Sequence, residues 1–275
     1  MKAKNKVKII FIMLLALSVL SYAQETKSKF SWSVKLGYFI PRSATFNNQY
    51  VPAVNDNLNA LNTYLKDFGL TGQVANMSKM SGAVDFGSEL ELQVSDQLSL
   101  VLGAEYSKRT LSAILISSGT VNLISYNVNQ TGKMSFSVVP LLVTFRLNLP
   151  ITLIRTYIGG GVGYYLAQVT EKEDWTWTQT EETIDTGSRK TVATGSAVIP
   201  HANLGAEYKI SERVSLSADI KYPFGSIGSF KIKKASDDPN SIGQTLTFFD
   251  SNGVQKNFKW ELSGPILGFN LKIKF

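Results

Sequence analysis

Residues 264–275 read GPILGFNLKIKF, and within them Leu267, Phe269, Leu271, Ile273 and Phe275 alternate with Gly268, Asn270, Lys272 and Lys274. A period of two sends successive side chains to opposite faces, so the stretch is a strand with one apolar and one polar face. A strand of a soluble sandwich would stop in a polar turn. Here the apolar row runs on to Phe275.

The same alternation recurs along the chain. Phe30, Trp32, Val34, Leu36, Tyr38 and Ile40 oppose Ser31, Ser33, Lys35 and Gly37 before Pro41 ends the run. Val84, Phe86, Leu90, Leu92 and Val94 oppose Asp85, Glu89, Glu91 and Gln93. Only Ser95-Asp96-Gln97 separates them from Leu98, Leu100, Leu102, Ala104 and Tyr106, which oppose Gly103, Glu105, Ser107 and Arg109, so the two runs form an antiparallel hairpin. A fourth strand carries Val139, Leu141, Val143, Phe145 and Leu147 against Thr144 and Arg146, with a bulge expected at Pro140. A short turn is expected at 148–152. The fifth strand sets Ile158, Val162, Tyr164 and Leu166 against Gly159, Gly161 and Gly163. In the sixth, Val198, Ala202, Leu204 and Tyr208 oppose His201, Asn203, Glu207 and Lys209; in the seventh, Leu216, Ala218, Ile220 and Tyr222 oppose Ser217, Asp219 and Lys221.

Between these runs the expected connections alternate in length. Short turns follow the second, fourth and sixth strands. Long loops follow the first, third, fifth and seventh. The first long loop holds Val54, Leu58, Leu61, Leu65 and Phe68 at helical spacing before Gly69. The second is expected from Ser117-Ser118-Gly119 to about Gly132. The third carries Trp175 and Trp177 and reads as a hairpin projecting above the membrane, expected to turn at Asp185-Thr186-Gly187-Ser188. The last contains Asn252-Gly253, a favoured hairpin turn. Thr245 to Phe249 is too short to span, which keeps the count at about eight strands.

The start of the chain gives its destination. Lys2, Lys4, Lys6 and Lys8 precede an apolar run from Ile9 to Leu17, and Ser21-Tyr22-Ala23 supplies small residues for cleavage. Residues 1–23 therefore read as a removed signal peptide and 24–275 as one domain. The alternative, an anchoring helix, is disfavoured because the run is broken by Ser18 and Ser21 and falls short of the ~20 residues a span needs. Cleavage takes four lysines and no acid, leaving +3 instead of +7, so the basic balance belongs to targeting and gives no ground for a nucleic-acid partner. With no cysteine there is no disulfide, thiolate metal site or lipidated cysteine. Strands tilted near 45° need about eleven residues to cross the ~25 Å apolar band of a bacterial outer membrane. The expected fold is all-β: a transmembrane, antiparallel up-and-down β-barrel with long extracellular loops and short periplasmic turns.

In that fold Lys35, Glu89, Glu91, Glu105, Arg146, Glu207, Asp219, Lys221 and Lys272 point into the lumen, on every strand but the glycine-rich fifth. A lysine facing lipid at mid-membrane would cost about 2–4 kcal/mol, which strongly favours this register over a one-residue slip. Opposite signs, such as Lys35 beside Glu89 or Glu91, are expected to pair and seal a lumen that eight strands leave filled by side chains; a polar solute path is the competing reading. Gly159, Gly160, Gly161 and Gly163 lack the G-x-G-x-x-G spacing of a nucleotide loop, and room beside Tyr157 and Tyr165 explains them better. His201 is the one histidine, too few for a multi-histidine metal site, and no G-x-S-x-G accompanies it. No catalytic residue, cofactor or metal is expected. The loop helix and the loop aromatics read either as packing of an extracellular cap or as a patch for a surface ligand.

The signal peptide, the up-and-down strands and the terminal phenylalanine together resemble the small outer-membrane barrels that include OmpA-like and OmpW-like proteins. PLLVTFRLN at 140–148 with TYIGGGVGYYLA at 156–167 is similar to that family's middle hairpin, and ANLGAEYKISERVSLSADIKYPF at 202–224 to its penultimate one. The resemblance implies a monomer in outer-membrane lipid. It also implies that Leu267, Phe269, Leu271, Ile273 and Phe275 are an assembly signal read by the barrel-assembly machinery. OmpA-like proteins often carry a peptidoglycan-binding domain after the barrel; this chain ends with its last strand, so cell-wall anchoring is not expected. OmpW-like members pass small hydrophobic molecules. The leading expectation is a structural or surface-interaction barrel, the alternative a narrow channel for small solutes, and the least favoured a membrane-embedded enzyme.

Overall fold

The computed structural model describes residues 29–150, 154–180 and 182–275. The expected signal peptide lies outside the described residues, as does part of the turn expected at 148–152. Eight strands close a ring: β1 (Lys29–Phe39), β2 (Ala83–Gln93), β3 (Leu98–Val121), β4 (Ile124–Pro150), β5 (Ile154–Gln179), β6 (Glu182–Lys209), β7 (Val214–Pro223) and β8 (Ile266–Lys274). Each pairs antiparallel with the next, and β8 returns to β1 with Val34 opposite Leu271.

The registers fix the girth. One row of paired residues leaves Pro223 and passes His201, Gly161, Thr144, Val101, Glu91, Ser31 and Lys274. Because Ile273 faces Val214, the row re-enters β7 one step on, at Arg213, ten residues below its start. Eight strands with that stagger tilt by about 40° and enclose a barrel of about 8 Å backbone radius. A lysine side chain reaches most of the way across.

The second long loop is strand rather than loop, and the third is the expected hairpin with its turn displaced. β3 and β4 continue above the rest of the ring to a two-residue turn at Asn122 and Leu123, both with positive φ, the pairing a type I′ hairpin requires. The Ser-Ser-Gly that suggested a loop lies within β3, where a Cβ on Gly119 would crowd Leu70 at 3.1 Å. The third hairpin turns at Thr180, not at 185–188. Gly187 sits opposite Trp175, and its missing side chain leaves room for the indole ring. Pro140 causes no bulge: the β3–β4 register is the same on both sides of it, and only the pairing opposite Val139 and Pro140 is interrupted.

The first connection carries α1 (Val51–Asp67), with Pro52 in its first turn. It ends in a Schellman motif, with Leu70 N donating to Leu65 O, Gly69 N to Lys66 O and Gly69 at φ 91°. Leu58 and Leu65 are buried and Val54 and Leu61 pack beside them; Phe68, expected on the same face, is exposed. Residues 71–75 then pair with the upper part of β3 at 114–118, and residues 231–235 pair with β6 at 191–194. The last connection contains the hairpin expected at Asn252-Gly253, with Thr247–Phe249 opposite Gln255–Asn257.

Candidate functional site

The lumen holds two layers of ions under an apolar cap. All nine expected charges lie inside the ring, and none is more than 6% exposed. In the layer nearer the short turns, Arg146 donates to Glu89 at 2.6 Å and lies 3.8 Å from Glu91, with its guanidinium over the Tyr157 ring at 4.6 Å. Lys272 bridges Glu91 at 2.7 Å and Glu207. In the layer above, Lys35 reaches Glu105 at 3.2 Å and Asp219 at 3.1 Å, and Lys221 also pairs with Glu105. Asn270 donates to Asp219 at 2.8 Å.

The pairing of Lys35 with Glu89 or Glu91 is therefore corrected. Lys35 is level with Gly87 on β2, which offers no charge, and the narrow bore lets its amine cross to β3 and β7 instead. Glycines make the crossing possible. A Cβ at Gly268 would collide with the Lys35 side chain and stand 2.7 Å from Asp219 Oδ1; one at Gly87 would stand 2.7 Å from Glu105 Cγ. The fifth strand is not free of charge either, because Arg155 at its lower end approaches Glu91 to 3.9 Å. Lys274 adds a bridge to Glu207 at 3.0 Å, and Asp85 accepts from Ser107. Asp85, Arg155 and Lys274 were legible from their inward phase but were not counted as part of the network. Counting them, six acids meet six bases.

Gly163 leaves room for the Tyr165 ring, as expected, and Gly205 does the same for Tyr157. Gly161 instead clears the Val143 carbonyl oxygen, and Gly159 clears Asn203. His201 shares a 2.8 Å hydrogen bond with Thr144, and its Nδ1 has no partner among the described residues, so no acid orients it as a base.

Above the ions the inward residues become apolar. Leu111, Leu115, Met134, Phe136 and Val169 line the extended strands, and Phe46, Tyr50, Leu58 and Leu65 enter from the first connection. Phe258 and Trp260 come from the last, and Phe136 meets Phe46 edge-on at 4.8 Å. Asn47 and Asn55 clamp the backbone of Met80 and Met77 through paired hydrogen bonds. Tyr50 donates to Glu171 at 2.9 Å; burial, then that carboxylate, holds its phenol well above the usual range. A cavity of about 310 Å³ opens beside α1, floored by Leu58, Met77, Met134 and Phe248 and rimmed by Glu171, Glu173 and Arg189. The helix packs as a cap and the cavity gives that cap a concave outer surface.

Outside the ring the pattern inverts. Trp32, Leu36, Phe86, Leu90, Leu98, Phe145, Leu147, Ile158, Val162, Leu204, Leu216, Ile220, Phe269 and Leu271 are all exposed, and they form one belt around every strand. Tyr38, Tyr106, Tyr164 and Tyr222 stand near its upper edge, where aromatic girdles lie. From Leu98 to Tyr106 on β3, or Val139 to Leu149 on β4, the belt rises about 20–25 Å, the height of the membrane's apolar band. A closed ring with charges inside and an apolar belt outside leaves one solvent arrangement. The chain is a small membrane-spanning β-barrel.

No protein-family profile matches the barrel, and no curated protein matches it in sequence. Solved structures similar to it include the outer membrane protein OprG from Pseudomonas aeruginosa, at 12% identity and a TM-score of 0.42 over 90% of this chain and 96% of that one. Neisserial surface protein A is 9% identical, with a TM-score of 0.37 over 90% and 97%. Ail of Yersinia pestis, in complex with the heparin analogue sucrose octasulfate, is 8% identical, with a TM-score of 0.31 over 90% and 99%. The membrane assignment rests on the barrel's own belt and lumen.

Proposed function

We propose that the barrel is non-conducting and serves as a structural, surface-displaying element of the outer membrane. The observation that carries this reading is the double closure: two ion-paired layers at membrane depth and, above them, the cap of α1 and the last connection. A hydrophobic solute entering from above would have to displace the buried cap and then cross charges; an ion would have to break the Lys35, Arg146, Lys221 and Lys272 bridges, whose side chains are all under 10% exposed. What is left for function is the rigid upper half, whose strands and cap present a fixed outer surface. Purified barrel in planar bilayers should give no stable unitary conductance, and steady single-channel steps would overturn the proposal in favour of a narrow solute path.

A further inference from the structure

The outward wall above the belt carries a row of like charges. Lys133 on β4 stands directly opposite Lys172 on β5, and Lys172 directly opposite Lys190 on β6; all three are exposed. Like charges across a strand pair repel, so such a row is unfavourable unless an anion sits on it. Asp174 is occupied by Lys172 at 2.7 Å and Ser188 at 2.8 Å, and the exposed Asp237 and Asp238, which follow Ser236 beside the Lys190 backbone, form no ion pair with a lysine among the described residues. Lys133 and Lys190 have no carboxylate partner among the described residues.

Further lysines join the row to the membrane. Lys108 faces out one step above Tyr106 on β3. Lys231 lies opposite Thr194, four residues above Val198, and Lys233 follows it in the same added strand. At about 3.3 Å per residue and a 40° tilt, these lysines rise from about 5 Å above the belt to about 15 Å at the Lys133–Lys172–Lys190 row. We propose that this wall binds the anionic saccharide head of an outer-leaflet glycolipid, with phosphates or acidic sugars bridging the three lysines. The partner is membrane-borne because the positive charge lies on the side wall and begins at the lipid boundary. The hairpin tip above, open to soluble polyanions, carries the acids Glu182 and Asp185.

The test compares wild-type barrel with Lys133→Gln/Lys172→Gln/Lys190→Gln, in detergent, against a phosphorylated lipopolysaccharide, its dephosphorylated form and free heparin. Each lysine near an anionic lipid surface is worth about five-fold in affinity, so the triple variant should bind the phosphorylated lipid about 100-fold more weakly. Binding should weaken with salt, and the three-arginine variant should bind as wild type does. Without lipid the glutamine variant should melt close to wild type, because the relieved repulsion offsets the loss of the exposed Lys172–Asp174 pair; this separates lost binding from lost folding. Equal lipid affinity of wild type and the glutamine variant would overturn the proposal. So would equal preference for the dephosphorylated lipid, or heparin binding as tightly as lipid, which would make the wall a site for soluble polyanions.

Discussion

Replacing Lys35 by Met tests whether the lumen is dry and paired. The amine holds two carboxylates, but they lose different amounts when it goes. Glu105 keeps Lys221, whereas Asp219 keeps only neutral donors, Asn270 at 2.8 Å and Tyr157 at 3.4 Å. Breaking a buried ion pair by removing one partner costs about 3–5 kcal/mol, and because only one of the two acids is stranded the lower end, about 3 kcal/mol, applies. Adding Asp219→Asn removes the stranded charge, so the double variant should recover more than about half of that loss. Urea unfolding of barrel refolded in lipid vesicles, followed by tryptophan fluorescence, reads both numbers; Trp32 lies on the lipid face of β1, the same strand as Lys35. If Lys35→Met lies within about 0.5 kcal/mol of wild type, water reaches the site and the dry-lumen reasoning fails. If the double variant is no better than the single one, the pairing with Asp219 is wrong.

Three further outcomes are expected. Gly268→Ala places a methyl group against Lys35 and Asp219 and should cost about 1–3 kcal/mol, a loss that shrinks in a Lys35→Ala background; equal losses in both backgrounds would show that the glycine serves something else. Phe275 is exposed beyond β8, so Phe275→Asp should alter stability in detergent little, about 0–1 kcal/mol, yet strongly reduce the barrel inserted in cells; unchanged insertion would remove the terminal row as an assembly signal. The Asp250 carboxyl is held below the usual range, first by Lys256 and then by the Val254 and Asn252 amides. A depressed folded value means its contribution is complete above about pH 3.9 and is lost as pH falls through that folded value. Pepsin should therefore begin to cut at Phe248–Phe249 only in strong acid in wild type but already at pH ~4.5 in Asp250→Asn, and identical profiles would refute the link.

The inward and outward faces were readable because lipid and lumen demand opposite chemistry at alternate positions, and a slip of one residue would put Lys35 and Glu89 into lipid. What alternation does not encode is stagger. Which residues of different strands stand level depends on the sum of all the registers, so the crossing of Lys35 to Glu105 and Asp219 was hidden although each residue's face was not. Turns failed for a related reason. Gly119 and Gly187 were read as punctuation, but each is small to admit a neighbour, Leu70 or the Trp175 ring, and neither neighbour is near in sequence. The actual turns use Asn122, whose turn preference is masked by the apolar Leu123 beside it, and Thr180; Leu123 and Thr180 carry weak turn signals.

The unequal strand lengths have a consequence for solubility at the cell surface. Above the membrane only β3, β4, β5 and β6 continue, so the wall there is an open four-stranded sheet with two free flanks. A bare flank offers a row of unpaired amides and carbonyls to any passing strand, including that of another copy. Thr71–Ala75 occupies the flank along β3, and Lys231–Ala235, three of whose five residues are lysine, occupies the flank along β6. The two long connections thus act as gatekeepers against edge-to-edge polymerisation, and shortening either one would trade a surface loop for an adhesive seam.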